Sequence, residues 1–211
     1  MKKICLFLVL FIIPFSVFGE EINLAENAMS AIMIEASTGE VLYKKNANQR
    51  MAPASMTKIM SLILIMENIE SGRLKWNDVV VVSANASSMG GSQIFLETNE
   101  MMSVEDLVKG ICIASGNDAV VAMVEKIAGT EAAFVKLMND KVRELGLKNT
   151  NFVNSTGLDA DNHYSSAYDM AMMAKELIKH EKILEFSSIY EDYLRKNTDN
   201  SFWLVNTNKV V

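Results

Sequence analysis

Histidine and cysteine are scarce in this 211-residue chain, which has two of each. His163 and His180 lie far apart in the sequence and offer no metal-ligand spacing. So few histidines also disfavour a Ser-His-Asp triad, so a serine hydrolase built on this chain would need lysine as its base. Cys5 lies in an N-terminal segment that we expect to be removed. Cys112 then stands alone in an apolar run, which excludes an intrachain disulfide and favours a small core residue over a nucleophile.

A surplus of positive charge is also missing. The chain has 20 Lys and Arg against 26 Asp and Glu, which gives a formal net charge of −6. Loss of Lys2 and Lys3 with the N-terminal segment would make the net charge −8. Proteins that bind nucleic acid need a basic surface, so this composition argues against a nucleic-acid partner.

The first 19 residues have the composition of a secretory signal peptide. Lys2 and Lys3 precede an apolar run over residues 4–18, which ends in Val-Phe-Gly before two glutamates. A charged start, a hydrophobic middle and small residues before the cleavage site are typical of such leaders. An uncleaved anchor is the alternative, but the run is short for a membrane-spanning helix. We therefore expect secretion across the cytoplasmic membrane, with residues 20–211 forming one domain with a sizeable core.

Periodicity and turn residues predict an α+β chain in which helices follow an N-terminal hairpin. The hairpin combines strand-like runs at 31–35 and 41–44 around a turn at 36–39. A nearly all-apolar helix over 55–71 follows, and a helix of this kind is expected to be buried in the middle of a domain. The remaining predictions are helices at 103–113, 118–128, 130–145 and 166–180, a loop at 149–165, and short strands at 79–82 and 202–205.

Ser55 and Lys58 place a hydroxyl and an amine three residues apart at the start of the apolar helix. Three residues are nearly one helical turn, so the two side chains lie on one face within reach of each other. A serine hydroxyl is a poor nucleophile until a base takes its proton, and a neutral lysine can be that base. The structural alternative is that Ser55 only caps the helix, although a capping box would have Glu or Gln in place of Lys58.

A second candidate group, Ser115-Gly116-Asn117, falls in the turn between two predicted helices. A loop serine and an asparagine could relay a proton and hold a substrate amide. Ser, Gly and Asn are also ordinary turn residues. A rival Ser-x-Asn occurs at Ser83 and Asn85, so the residues alone do not decide between the two.

Together the two motifs resemble the penicillin-recognising serine enzymes, in which Ser-x-x-Lys and Ser-x-Asn are followed by Lys-Thr-Gly. The likeness narrows to the low-molecular-weight penicillin-binding proteins, the serine-type D-alanyl-D-alanine carboxypeptidases. It implies a β-lactamase/transpeptidase-like fold, and it favours Ser115 and Asn117 as the second motif. It spans almost all of the mature chain, through stretches at 36–43, 53–58, 90–96, 114–119, 146–152 and 163–169.

The resemblance implies a specific reaction. Ser55 would attack the carbonyl of the penultimate D-alanine of a peptidoglycan stem peptide, the terminal D-alanine would leave, and water would hydrolyse the acyl-enzyme. Lys58 would be the general base, Ser115 would relay a proton to the leaving amine, and Asn117 would orient the substrate and contact Lys58. Backbone N–H groups, including that of Ser55, would form the oxyanion hole. β-Lactams, which mimic the D-Ala-D-Ala end, would acylate Ser55, and neither a cofactor nor a metal is implied.

The sequence departs from the family pattern because it contains no Lys-Thr-Gly or Lys-Ser-Gly. In the family this motif lies on a sheet strand downstream of Asn-Thr-Asn-Lys, which here is 206–209. We therefore expect the front part of an enzyme, without most of the sheet and without the C-terminal region through which membrane association would occur. The hairpin would then lack partner strands and the long helix would be exposed on one side. The 211-residue chain would have weak stability and negligible turnover.

Two other functions remain open from the sequence. A serine β-lactamase shares the first two motifs, but it would add a deacylating glutamate in a Glu-x-x-x-Asn pattern that the sequence lacks. A non-catalytic remnant, secreted and associated with the cell wall, would retain the helical part of the fold without its chemistry.

Overall fold

The computed structural model describes residues 23–196 and 198–211, so the expected signal peptide over 1–19 lies outside the described residues. The described part is α+β, as predicted. Its strands are β1 (Ala31–Ile34), β2 (Val41–Lys45), β3 (Val79–Val81), β4 (Met101–Ser103), β5 (Glu191–Leu194) and β6 (Phe202–Val205). Its helices are α1 (Lys58–Glu70), α2 (Ala84–Ser87), α3 (Val104–Ala114), α4 (Asn117–Ala128), α5 (Glu131–Glu144), α6 (Ala167–Leu177) and α7 (Glu181–Ser187).

The strands form three separate antiparallel pairs, β1 with β2, β3 with β4 and β5 with β6. The predicted N-terminal hairpin is confirmed. Its turn is held by Glu35, whose carboxylate accepts hydrogen bonds from the hydroxyl and backbone N–H groups of Thr38 and Ser37. These bonds, with that of the Thr38 hydroxyl first, lower the pKa of Glu35 to about 2. Within the described residues the hairpin has no further partner strand, as expected, and α6 packs against β1.

Helix α1 lies in the centre of the molecule. It is preceded by a 3-10 turn, Ala54–Thr57, and every residue from Met60 to Met66 is buried. The expectation that this helix would be exposed on one side is wrong, because α4, α5 and α6 pack around it. Each of its fully buried aliphatic side chains contributes about 1.5–3 kcal/mol of transfer free energy. The apolar side chains of α1 are thus buried against the neighbouring helices.

Helix boundaries follow the capping residues of the sequence in most places. Ser103, Thr130 and Ser166 each accept a hydrogen bond on the side-chain oxygen from a backbone N–H three residues later. The helix predicted over 166–180 ends earlier than expected, at Leu177, and a separate helix that was not predicted, α7, begins at Glu181. No glycine or proline marks this break in the sequence. The short elements α2, β4 and β5 were also not predicted.

Cys112 is partly buried on α3, where it packs against the core. Burial raises the pKa of its thiol to about 12, so the thiolate is absent at neutral pH and the expected core role is supported over a nucleophilic one. Over the described part of the chain, none of the helices combines the length and the apolar composition needed to cross a membrane.

Candidate active site

Ser55 and Lys58 meet at the junction between the 3-10 turn and α1. The Lys58 Nζ atom lies 3.2 Å from the Ser55 Oγ atom. Ser55 is exposed, whereas Lys58 is only 4% exposed. The spacing of one helical turn therefore brings the two groups together as predicted, with the hydroxyl facing solvent and the amine behind it.

The environment of Lys58 favours a neutral amine. Burial lowers the pKa of Lys58 from 10.5 to about 8, because desolvation penalises the ammonium form. No carboxylate forms a salt bridge with Lys58 within the described residues, and a second hydrogen bond joins Nζ to the backbone oxygen of Thr156 at 2.9 Å. When one N–H of the neutral amine is donated to that oxygen, its lone pair is free to accept the Ser55 proton.

The backbone around Ser55 depends on a close approach by Gly157. Ala54 has a positive φ of 48°, a strained conformation for a residue with a side chain. Gly157 packs against it so tightly that an added Cβ would lie 1.8 Å from the Ala54 carbonyl oxygen. Sequence reasoning missed this role, although the Ser-Thr-Gly triplet at 155–157 in a long loop was the available signal.

The turn that presents the Thr156 carbonyl is held from several sides. Ser61 on α1 donates its hydroxyl to the Ser155 carbonyl at 2.7 Å. The Glu131 carboxylate on α5 accepts the Ser155 backbone N–H at 3.0 Å and the Ser155 hydroxyl at 2.9 Å. Asn154 accepts the Gly157 N–H at 2.7 Å. None of these supporting residues was predicted. Ser61 and Glu131 lie 94 and 24 positions from Ser155, whereas the turn at Asn154 is local, and its Asn-Ser-Thr-Gly sequence was a signal that could have been used.

Ser115 and Asn117 flank the turn between α3 and α4. Ser115 ends α3 in the left-handed region, with φ 57° and ψ 34°, and is partly exposed. Its hydroxyl makes no hydrogen bond within the described residues, which leaves it available to an incoming group. A left-handed residue at this position ends α3, as is common at helix C-termini.

Asn117 is 4% exposed and begins α4. Its side-chain Nδ2 donates to the Gly90 carbonyl and its backbone N–H to the Ser92 carbonyl, each at 2.7 Å. Its Oδ1 is buried without a hydrogen-bond partner within the described part of the chain. No hydrogen bond joins Asn117 to Lys58 among the described residues. Nδ2 donates to Gly90, and Nζ lies within hydrogen-bonding distance of the Ser55 hydroxyl and the Thr156 carbonyl.

Asp118, next in sequence, fixes the neighbouring loop. Its carboxylate is 1% exposed and accepts the backbone N–H groups of Ile94 and Leu96 at 3.0–3.1 Å. The rival motif has a structural role instead. Ser83 caps α2 through the Ala86 N–H, and Asn85 donates to Glu125 at 2.9 Å. The side chains of Ser83 and Asn85 are thus engaged in contacts that cap α2 and join it to α4.

Comparison with known proteins decides the family. The family model described as D-alanyl-D-alanine carboxypeptidase matches residues 19–211. The chain belongs to the D-alanyl-D-alanine carboxypeptidase family. Among curated members of this family, D-alanyl-D-alanine carboxypeptidase DacF of Bacillus subtilis (strain 168) is 62% identical over 189 residues, covering 90% of this chain and 49% of the relative. The chain spans about half the length of the curated D-alanyl-D-alanine carboxypeptidases it matches.

Solved structures agree with this carboxypeptidase family. Penicillin-binding protein 6B from Escherichia coli superposes with a TM-score of 0.82 at 34% identity, over 94% of this chain and 62% of that one. An ampicillin-bound penicillin-binding protein from Listeria monocytogenes has a TM-score of 0.76 at 29% identity, over 89% of this chain and 75% of that one. The expected β-lactamase/transpeptidase-like fold is confirmed for the described part.

Proposed function

We propose that this chain carries the nucleophile and base of a serine-type D-Ala-D-Ala carboxypeptidase that acts on peptidoglycan stem peptides. The observation that carries the proposal is the buried Lys58 amine at 3.2 Å from the exposed Ser55 hydroxyl. A serine beside a lysine of lowered pKa is an activated nucleophile. The names of the relatives, D-alanyl-D-alanine carboxypeptidases, support the choice of substrate.

In the proposed reaction, Lys58 Nζ takes the proton of Ser55 as Oγ attacks the carbonyl carbon of the penultimate D-alanine. The carbonyl oxygen becomes an oxyanion that backbone N–H groups, including that of Ser55, stabilise. The C–N bond then breaks, and the leaving D-alanine takes a proton through the free hydroxyl of Ser115. Water attacks the remaining ester, which releases the shortened peptide and restores the Ser55 hydroxyl.

Asn117 is proposed to hold the substrate. Its orphaned Oδ1 is a buried acceptor, and leaving such a group unpaired costs about 1–3 kcal/mol. A substrate amide N–H that reaches Oδ1 would remove this cost. The carbonyl of Gly90 keeps Nδ2 directed away, so Asn117 offers an acceptor to the substrate.

β-Lactams are the second proposed ligand class. They would acylate Ser55 because they mimic the D-Ala-D-Ala end, and the ampicillin-bound relative supports this inference. The site needs no metal or cofactor for this chemistry. We further propose that residues 1–19 direct secretion and that residues 20–211 act on the outer side of the cytoplasmic membrane.

The test compares the 211-residue chain with the same chain extended by the part of Bacillus subtilis DacF that it does not cover. Both proteins are incubated with a fluorescent penicillin, and the labelled residue is identified by mass spectrometry. We expect Ser55 to be labelled in the extended protein and labelling to be lost in Ser55→Ala.

We expect the 211-residue chain alone to be labelled far more slowly. An adduct on any other hydroxyl would overturn the assignment of the nucleophile. Robust labelling of Ser55 in the 211-residue chain would contradict the expected loss of turnover and leave the nucleophile assigned. Rapid hydrolysis of nitrocefin would instead indicate a β-lactamase.

A further inference from the structure

His163 joins the two segments that surround Lys58. It is 6% exposed, in the loop after α5. Its Nδ1 accepts the backbone N–H of Val153 at 3.1 Å, and its Nε2 lies 2.8 Å from the Thr57 hydroxyl oxygen. Because Nδ1 accepts a hydrogen bond, the ring is neutral, its proton is on Nε2, and Nε2 donates to Thr57.

Both partners of His163 adjoin the base. Thr57 is fully buried and directly precedes Lys58. Val153 begins the turn that ends at Gly157 and presents the Thr156 carbonyl to Nζ. The imidazole packs on the Phe152 ring, with 5.7 Å between ring centroids. The His163 side chain thus links the 3-10 turn that contains Ser55 to the turn whose Thr156 carbonyl accepts from Lys58 Nζ.

We propose that His163 is a positioning residue for Lys58. The neutral ring connects the 153–157 turn to Thr57 through two hydrogen bonds. This connection holds the Thr156 carbonyl where it positions Nζ near Ser55, and it keeps water away from the amine. This inference rests on the proposed roles of Ser55 and Lys58. It assigns a function to a histidine that takes no part in proton transfer.

The surroundings of His163 favour its neutral form. A protonated ring would direct Nδ1–H at the Val153 N–H, so that two donors would face each other. Burial lowers the pKa of His163, while the charge of Asp159 on the same loop acts in the opposite direction. Of the other charged groups on the adjoining elements, Lys58 follows Thr57 on α1 and Glu131 on α5 is bonded to Ser155. The hydrogen bonds of His163 to Val153 and Thr57 therefore persist at neutral pH.

The test measures the pKa of Lys58 directly, by NMR of the 211-residue chain with labelled lysine, and the tautomer of His163 by ¹⁵N chemical shifts. We expect the Nε2–H tautomer in the unmodified protein. In His163→Ala we expect water to reach the amine, which raises the pKa of Lys58 from about 8 toward 10.5. His163→Gln should restore the lower pKa, because an amide can accept from Val153 and donate to Thr57 without titrating.

Two further variants complete the experiment. Thr57→Val removes the acceptor of the Nε2–H bond at almost constant volume, and should raise the pKa of Lys58 even if His163→Ala does not fold. His180→Gln is the matched control, because His180 pairs with Glu70 away from Ser55.

An unchanged Lys58 pKa in folded His163→Ala or Thr57→Val, or an Nδ1–H tautomer, would overturn the proposal. These measurements use no substrate. Failure of penicillin to label Ser55 in the extended protein would therefore count against the proposed function and leave the positioning role standing.

Discussion

At the scale of single residues, the buried amine of Lys58 makes the chemistry of Ser55 depend on pH. Its pKa is lowered to about 8, so about a tenth of the molecules carry a neutral amine at pH 7 and about nine-tenths at pH 9. The ammonium form cannot take the Ser55 proton. Proton transfer thus becomes more frequent as pH rises through the pKa of Lys58.

We predict that the rate of Ser55 acylation by penicillin rises about tenfold per pH unit below pH 8 and levels off above it. The measurement is the labelling rate of the extended protein over this pH range. Lys58→Ala should lose acylation while its circular dichroism spectrum stays the same. Unchanged acylation in this variant would refute Lys58 as the base.

Single residues also show what the sequence could and could not predict about the site. The pair Ser55 and Lys58 was predictable, because three positions in a helix fix their proximity. The partner Thr156 is 98 positions from Lys58, and no local pattern indicates such a contact. The orphaned Oδ1 of Asn117 depends on how the loop at 90–92 packs, which is equally non-local.

At the scale of elements, the site depends on close packing between the 3-10 turn at Ala54–Thr57 and the turn that ends at Gly157. Gly157 has φ +90° and its Cα lies where an added Cβ would meet the Ala54 carbonyl at 1.8 Å. Gly146 has a similar positive φ of 69° but nothing within 4 Å of the Cβ position. Alanine substitutions at these two glycines therefore distinguish the free-energy cost of a positive φ, which both positions share, from the cost of a steric clash, which only Gly157 would have.

We predict that Gly157→Ala lowers the free energy of unfolding by about 3 kcal/mol or more, because strain and a backbone clash combine. Gly146→Ala should cost only about 1 kcal/mol, from strain alone. Chemical denaturation of both variants checks this prediction. Equal losses in the two would show that the approach of Gly157 to Ala54 is unimportant for stability.

The elements themselves were predicted well where capping residues mark them. The starts of α3, α5 and α6 follow Ser103, Thr130 and Ser166, because a side-chain acceptor for a free N–H is a local requirement. The helix α7 and the strands β4 and β5 were not predicted. These elements are short, and β4 pairs with β3 across residues 82–100, so no local pattern indicates its partner. β5 and β6 flank a segment rich in Asn, Asp and Ser, which is a turn signal that the prediction did not use.

At the scale of the whole molecule, stability is unevenly distributed. The centre of α1 is buried on all sides, whereas β1 and β2 pair only with each other among the described residues and expose Met33 and Leu42 by 50% and 58%. A two-stranded hairpin is marginally stable in water. Local opening should therefore begin at the hairpin.

We predict that backbone amides of β1 and β2 exchange with deuterium at least about a hundredfold faster than those in the middle of α1. Hydrogen exchange followed by mass spectrometry of peptides from the two regions provides the measurement. Equal protection would show that contact with α6 is enough to fix the hairpin, and would contradict the expected weakness of this part of the chain.

The raised pKa of Cys112 slows the reactions of its thiol with oxidants and disulfides. Disulfide exchange and oxidation proceed through the thiolate, and a thiol with a pKa of about 12 is almost never ionised at neutral pH. If residues 1–19 direct secretion as proposed, Cys112 would meet an oxidising environment in which an exposed thiol could form a disulfide with a second molecule. Because Cys112 packs against the core and stays protonated, its thiol is protected from such cross-linking.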